Sequence, residues 1–201
     1  MTSVQSWSML VTDLRHFLDL GEDTPAPARR LAARLSGIVR AATAGDACIA
    51  WTSALPCRRR PERRPCQGRL VVRRPELAAP IRWQCSVCGD EGVISGWEDS
   101  PYDLRRRALT LAGAINQVAL SHQVAATLRE LRLLDTDCER LVYRFRAHGE
   151  RAILSTTDDE LEELIGFVAA EANHEPNRRR QRRLDAAFDA LSDAAHTPHS
   201  G

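Results

Sequence analysis

Four cysteines constrain this chain more than any other feature. In Cys85-Ser86-Val87-Cys88-Gly89, two thiolates can reach one tetrahedral metal from a single tight turn. Glycine behind the second cysteine suits the positive φ that such a turn often needs. A structural zinc site takes four ligands, and Cys57 and Cys66 are the best candidates for the other two. Eight residues lie between them, more than the usual two to four. Pro61 and Pro65 stiffen that stretch, so closing the loop loses less entropy than a flexible loop would. The expected cofactor is therefore one structural Zn2+ on Cys57, Cys66, Cys85 and Cys88.

Two cysteines remain. Cys138 falls on the apolar face of an expected helix and reads as a small buried hydrophobe. Cys48 is the alternative to Cys57, at a less favourable spacing. A redox Cys-x-x-Cys needs a helix starting at its first cysteine, which Gly89 and Gly92 discourage. A catalytic zinc would want an open position and a histidine or carboxylate ligand. The neighbouring Asp90 and Glu91 read instead as a solvated turn.

The chain around these cysteines is β-like. Leu70-Val71-Val72 reads as a strand, Ile81, Trp83 and Cys85 alternate with Arg82 and Gln84, and Val93 to Trp97 reads as a third strand. The flanks are helical. Leu10, Leu14, Phe17 and Leu18 share one helical face. Thr24-Pro25 then opens a helix carrying Leu31, Leu35, Ile38, Val39 and Ala42, which Gly45 ends. Ser100-Pro101-Tyr102-Asp103 reads as the start of a short helix bearing Arg105, Arg106 and Arg107.

Beyond it, Ile115 to Leu120 reads as a strand. Ser121 and Asp135 each open a helix, and Ala152 to Leu154 forms a strand after the His148-Gly149 turn. Thr157-Asp158-Asp159-Glu160 is a capping box, followed by the apolar stripe Leu161, Leu164, Ile165, Val168 and Ala172. Pro176 breaks that helix, and Leu184, Phe188 and Leu191 mark the last one. Glu171 and His174 have the Glu-x-x-His spacing of di-iron bundles, but one copy is too few, so an exposed polar helix end is expected.

All 28 basic residues are arginine, against 27 acidic ones, for a net charge of +1. The whole molecule is not an electrostatic polyanion binder, so any such role rests on local clusters. Arg58, Arg59, Arg60, Arg63 and Arg64 lie between Cys57 and Cys66, with Glu62 as the one acid among them. A second run, Arg178 to Arg183, has Glu171, Glu175 and Asp185 at pairing distance along helices. With no lysine, neither Schiff-base chemistry nor a P-loop lysine is open to this chain. No other catalytic motif is visible.

The segments Ile81 to Asp103 and Phe167 to Arg180 resemble those of small, uncharacterised zinc-ribbon-like proteins of GC-rich actinobacteria, some of which accompany mobile elements. The resemblance implies a bacterial cytoplasmic protein and supplies no activity or catalytic residue.

The expected fold class is α+β: a small zinc-ribbon β unit (51–100) inserted between an N-terminal helical pair (1–50) and a mostly helical C-terminal region (101–201). The N-terminal residues lack the charge and apolar run of a signal peptide, and no stretch is apolar enough to span a membrane. A cytoplasmic location follows as the expectation. The expected function is a non-enzymatic zinc-binding protein whose arginine-rich loop contacts DNA or RNA. The alternative is a protein-interaction adaptor with a purely structural zinc, in which the ribbon or the Leu161 to Ala172 stripe meets a partner, and an enzyme comes third. No small-molecule substrate is indicated.

Overall fold

The computed structural model describes residues 9–21, 23–76, 79–106 and 115–196. The chain is mixed α/β and divides into two compact units, 1–105 and 106–201.

The first unit is a sheet with one long helix on it. Strand β1 is Met9–Asp13, helix α1 is Ala26–Ala44, and strands β2 (Ala50–Pro56), β3 (Arg69–Arg73), β4 (Ile81–Cys85) and β5 (Glu91–Ser95) follow. Strands β2 to β5 form an antiparallel meander, and β1 adds parallel to β5. The β4 alternation puts Ile81, Trp83 and Cys85 in the core and leaves Arg82 and Gln84 exposed. Helix α1 lies against β2, β3 and β4 and buries Leu35, Ile38, Val39 and Ala42. Burying each of Leu35, Ile38 and Val39 contributes about 1.5–3 kcal/mol.

The expected helix at Leu10 to Leu18 is not formed. Its first half is β1, and Leu14–Phe17 make a single 3-10 turn. Asp13 caps that turn by accepting the Arg15 backbone N–H at 2.9 Å, and Leu14 is fully buried. The helical spacing was real, but pairing of Leu10 with Gly92 outweighs it, because a strand's hydrogen bonds come from a remote segment. Strand β2, which carries Trp51, was not marked as a strand in the sequence. After Trp97 the chain turns into a short 3-10 segment, Leu104–Arg106. The rest of the helix expected there, including Arg107, lies outside the described residues.

The second unit runs β6 (Asn116–Ser121), α2 (His122–Leu128), α3 (Thr136–Tyr143), β7 (Arg146–His148), β8 (Arg151–Thr156), α4 (Asp158–His174) and α5 (Arg178–His196). Strand β8 pairs antiparallel with both β6 and β7. The helix starts are those the sequence marks. Ser121 Oγ accepts from the Val124 N–H at 3.2 Å, and Asp135 Oδ1 from Cys138 at 2.8 Å. Thr157 and Glu160 make the reciprocal capping box, with bonds of 3.3 and 2.8 Å. Leu161, Leu164 and Val168 are buried, and α4 packs along α5, where Leu184, Ala187 and Leu191 face inward. Ile165 and Phe188 stay partly exposed.

Glu171 departs from expectation. It is buried, where an exposed helix end was expected. Its carboxylate accepts the backbone N–H of Arg132 at 2.7 Å and of Leu133 at 3.3 Å, and pairs with Arg180. Arg180 also meets Glu175, so the second arginine run is partly consumed in locking the α4–α5 turn. Arg183 pairs with Glu130 at 2.9 Å.

Candidate metal centre

In an antiparallel meander, alternate hairpins leave from the same end of the sheet. The β2–β3 loop (57–68) and the β4–β5 turn (86–90) are such a pair, with β3 paired to β4 between them. Each begins with a cysteine at or just beyond a strand end, so the sheet itself brings the cysteines together. The sulfurs of Cys57, Cys66, Cys85 and Cys88 all lie within 4.8 Å of one another. Cys57 and Cys88 are 3.7 Å apart, and Cys66 and Cys85 are 3.6 Å apart. Four sulfurs at about 2.3 Å from a tetrahedral zinc would sit about 3.8 Å from each other. A disulfide needs about 2.05 Å, and none of the six cysteines forms one.

The backbone around the sulfurs repeats one device. The N–H two residues after a cysteine points at its sulfur: Arg59 at Cys57 (3.4 Å), Gly68 at Cys66 (3.3 Å) and Val87 at Cys85 (3.4 Å). Such donors stabilise thiolate charge. Burial pushes the Cys57 and Cys88 thiols up. It opposes ionisation of Cys85 as well, but the N–H groups of Cys88 and Val87 outweigh it and draw that thiol down. Gly89 has φ +70°, as the turn demands. Gly68 matters for space: a Cβ there would lie 2.3 Å from the Cys85 sulfur. The cradle is thus shaped for four sulfurs, and the donor set suits a thiophilic ion.

Cys48 stands outside the cluster, exposed, with its N–H bonded to the Arg74 carbonyl at 2.7 Å. Cys138 is buried on α3, as expected. No helix starts at Cys85; the chain passes from β4 through a turn into β5. The context required for a thioredoxin-like pair is absent from this segment.

The sequence missed three residues that shape the centre: Gly68, Asp90 and Arg34. Asp90 is not a solvated turn residue. Its carboxylate meets Arg34 of α1 at 3.2 Å and Arg59 at 3.3 Å, and its carbonyl accepts the Cys85 N–H at 2.7 Å. The clue was an acid one turn beyond a cysteine pair, but its partner stands 56 positions away.

The arginine loop is closed at its base. Cys57 N–H donates to the Gly68 carbonyl at 2.8 Å, and Cys66 N–H to the Arg59 carbonyl at 2.9 Å. At its tip, Arg64 N–H reaches the Pro61 carbonyl at 3.0 Å across Glu62 (φ +52°) and Arg63 (φ +66°). Two successive left-handed residues define a type I′ turn. Each non-glycine residue held there costs roughly 1–2 kcal/mol. Arg58, Arg59, Arg60, Arg63 and Arg64 are all exposed. Arg59 is tied to Asp90, and the other four have no side-chain ion pair among the described residues.

Trp83 and Trp97 are both buried and present no ring face to solvent. Trp97 is fully buried, with its N–H on the Ala79 carbonyl at 3.1 Å and Arg105 over its ring at 4.4 Å. Trp83 is 3% exposed and lies beneath Arg34. The β4 alternation turns Trp83 toward α1, whose Arg34 covers its ring.

No helix among the described residues is long and apolar enough to cross a membrane. Comparison with protein-family models, with curated proteins and with solved structures finds no match in any of the three.

Proposed function

We propose that this chain is a non-enzymatic zinc-binding protein: Cys57, Cys66, Cys85 and Cys88 hold one structural zinc in a ribbon-like pair of knuckles, and the loop they clamp presents arginines to nucleic acid. The observation that carries the reading is the convergence of four sulfurs within 4.8 Å at the base of a loop with four guanidiniums that have no ion pair among the described residues. Zinc would close the tetrahedron and couple its binding free energy to folding of the two loops. Fixing the loop ends places Arg58, Arg60, Arg63 and Arg64 where their planar forks can meet phosphate oxygens. The balanced total charge is no obstacle, since a local cluster is enough.

The adaptor reading is weaker in one respect. The α4 stripe offered as a partner surface is largely buried within its own unit, with Leu161, Leu164 and Val168 facing inward.

The test has two arms. Elemental analysis of freshly purified, reduced protein should give about one zinc per chain. The zinc-loaded chain should bind short DNA or RNA at low salt and release it as salt rises, in proportion to the phosphates contacted. Changing Arg58, Arg60, Arg63 and Arg64 to Gln should flatten that slope and leave the zinc in place. Protein without zinc would overturn the metal reading, and no binding to any nucleic acid at low salt would overturn the loop reading.

A further inference from the structure

Between the arginine loop and the Cys85–Cys88 turn runs a groove of about 900 Å³. That volume lies in the range of clefts that take a small ligand. Its charge is unlike that of a plain phosphate site. Three arginines line it, Arg59, Arg60 and Arg64, and so do three carboxylates, Glu62, Asp90 and Glu91. Asp90 is already engaged by Arg34 and Arg59. Arg60 and Arg64 remain as donors, and Glu62 and Glu91 as acceptors, with no side-chain partner among the described residues. Val87, 69% exposed, adds an apolar rim.

A group suited to this lining is planar, partly apolar, and presents hydrogen-bond donors beside acceptors. A nucleobase has all of these properties. Arginine planes stack on bases, and a carboxylate accepts from an exocyclic amino group such as N4 of cytosine. Glu62 and Glu91 offset the charge of Arg60 and Arg64 inside the groove, so it attracts a phosphate less than the loop arginines outside it do. Arg58 and Arg63, which do not line the groove, are left to the backbone. We propose that the groove seats an unpaired base bearing an exocyclic amino group, so that the ligand is single-stranded nucleic acid; this rests on the nucleic-acid reading of the loop. A base must leave the duplex stack to enter a concave site, and a single strand avoids that unpairing cost.

The test uses the full zinc-loaded chain at neutral pH and fixed salt. Fluorescence anisotropy compares oligocytidylate with oligouridylate, whose base has no amino group, and a mixed-sequence duplex serves as competitor. Cytidylate should bind about tenfold tighter than uridylate, as one good base contact implies, and the duplex should compete poorly. Glu91→Gln should bring the cytidylate-to-uridylate ratio toward one with zinc retained. If that variant loses zinc or unfolds, Glu62→Gln on the exposed loop reads the same ratio. Equal affinities in the unmodified chain, a ratio indifferent to both variants, or full competition by duplex would overturn the groove and leave the loop reading standing. Binding to none of the three would overturn both.

Discussion

The guanidinium of Arg34 meets the carboxylate of Asp90 at 3.2 Å while lying 4.8 Å over the ring of Trp83. Asp90 follows Cys88 and Gly89, and it holds Arg59 of the arginine loop with its other oxygen. One carboxylate therefore joins helix α1, the Cys85–Cys88 turn and the loop between Cys57 and Cys66. Both Arg34 and Asp90 are largely shielded, with side chains 18% and 10% exposed.

Asp90→Asn should therefore act on stability and on the metal together. It leaves the Arg34 guanidinium shielded without its acid, a loss of about 1–3 kcal/mol by the usual penalty for an orphaned charged group. Urea unfolding of the zinc-loaded protein measures it. Zinc should be retained but released more readily, since outer partners of a metal site tune its affinity about 10–100-fold. Unchanged unfolding and unchanged zinc affinity would show that the carboxylate is incidental to the site.

Gly68→Ala should weaken zinc binding without touching a ligand. The new methyl would lie 2.3 Å from the Cys85 sulfur and 3.0 Å from Val87 Cβ, so one knuckle must shift. Competition against a chromophoric chelator should show at least about tenfold weaker binding, the lower end of the range for supporting residues. Gly166→Ala is the control. It sits on α4 with nothing within 4 Å of the added carbon and should stabilise the chain by about 0.5–1 kcal/mol.

The Glu171–Arg180 pair should make stability depend on acid pH. Burial alone would push the Glu171 carboxyl up. The Arg132 N–H, the Arg180 guanidinium and the Leu133 N–H outweigh it and hold the group below its ordinary value of 4.5. The folded state thus takes up this proton less readily than the unfolded chain. The stabilisation is present above about pH 4.5 and is lost as pH falls through the lower folded-state range. Urea midpoints from neutral to acid pH should fall less steeply for Glu171→Gln than for the unmodified chain. Parallel curves would refute the assignment. Arg180→Leu, which strands the buried carboxylate, should cost on the order of 3 kcal/mol at neutral pH.

Leu164→Ala tests the α4–α5 interface. Leu164 is fully buried, so the truncation should cost about 2–5 kcal/mol, with the higher values if the cavity does not collapse. Thermal or urea unfolding reads it directly. A near-neutral effect would mean that α4 is free of α5 in solution and would return the stripe to the partner-binding reading.

Local chemistry was legible in the sequence wherever a residue's partner lies within a few positions. The caps at Ser121, Asp135 and Thr157 bond to N–H groups three residues on, so their spacing announces them. The β4 alternation and the Cys85–Cys88 turn are local in the same sense, and four thiols in a β-like stretch pointed to a common metal site. What the sequence left open depends on remote partners. Residues 10–18 carry a helical spacing, yet β1 forms because β5, some eighty positions later, supplies its hydrogen bonds. Glu171 looks like a surface acid until the Arg132 and Leu133 amides cover it, and Asp90 looks like a turn residue until Arg34 reaches it. Trp83 and Trp97 face inward because the packed sheet turns them there. Spacing reports which groups can meet along one helix or strand. Burial and charge pairing depend on which distant segments the tertiary fold sets against them.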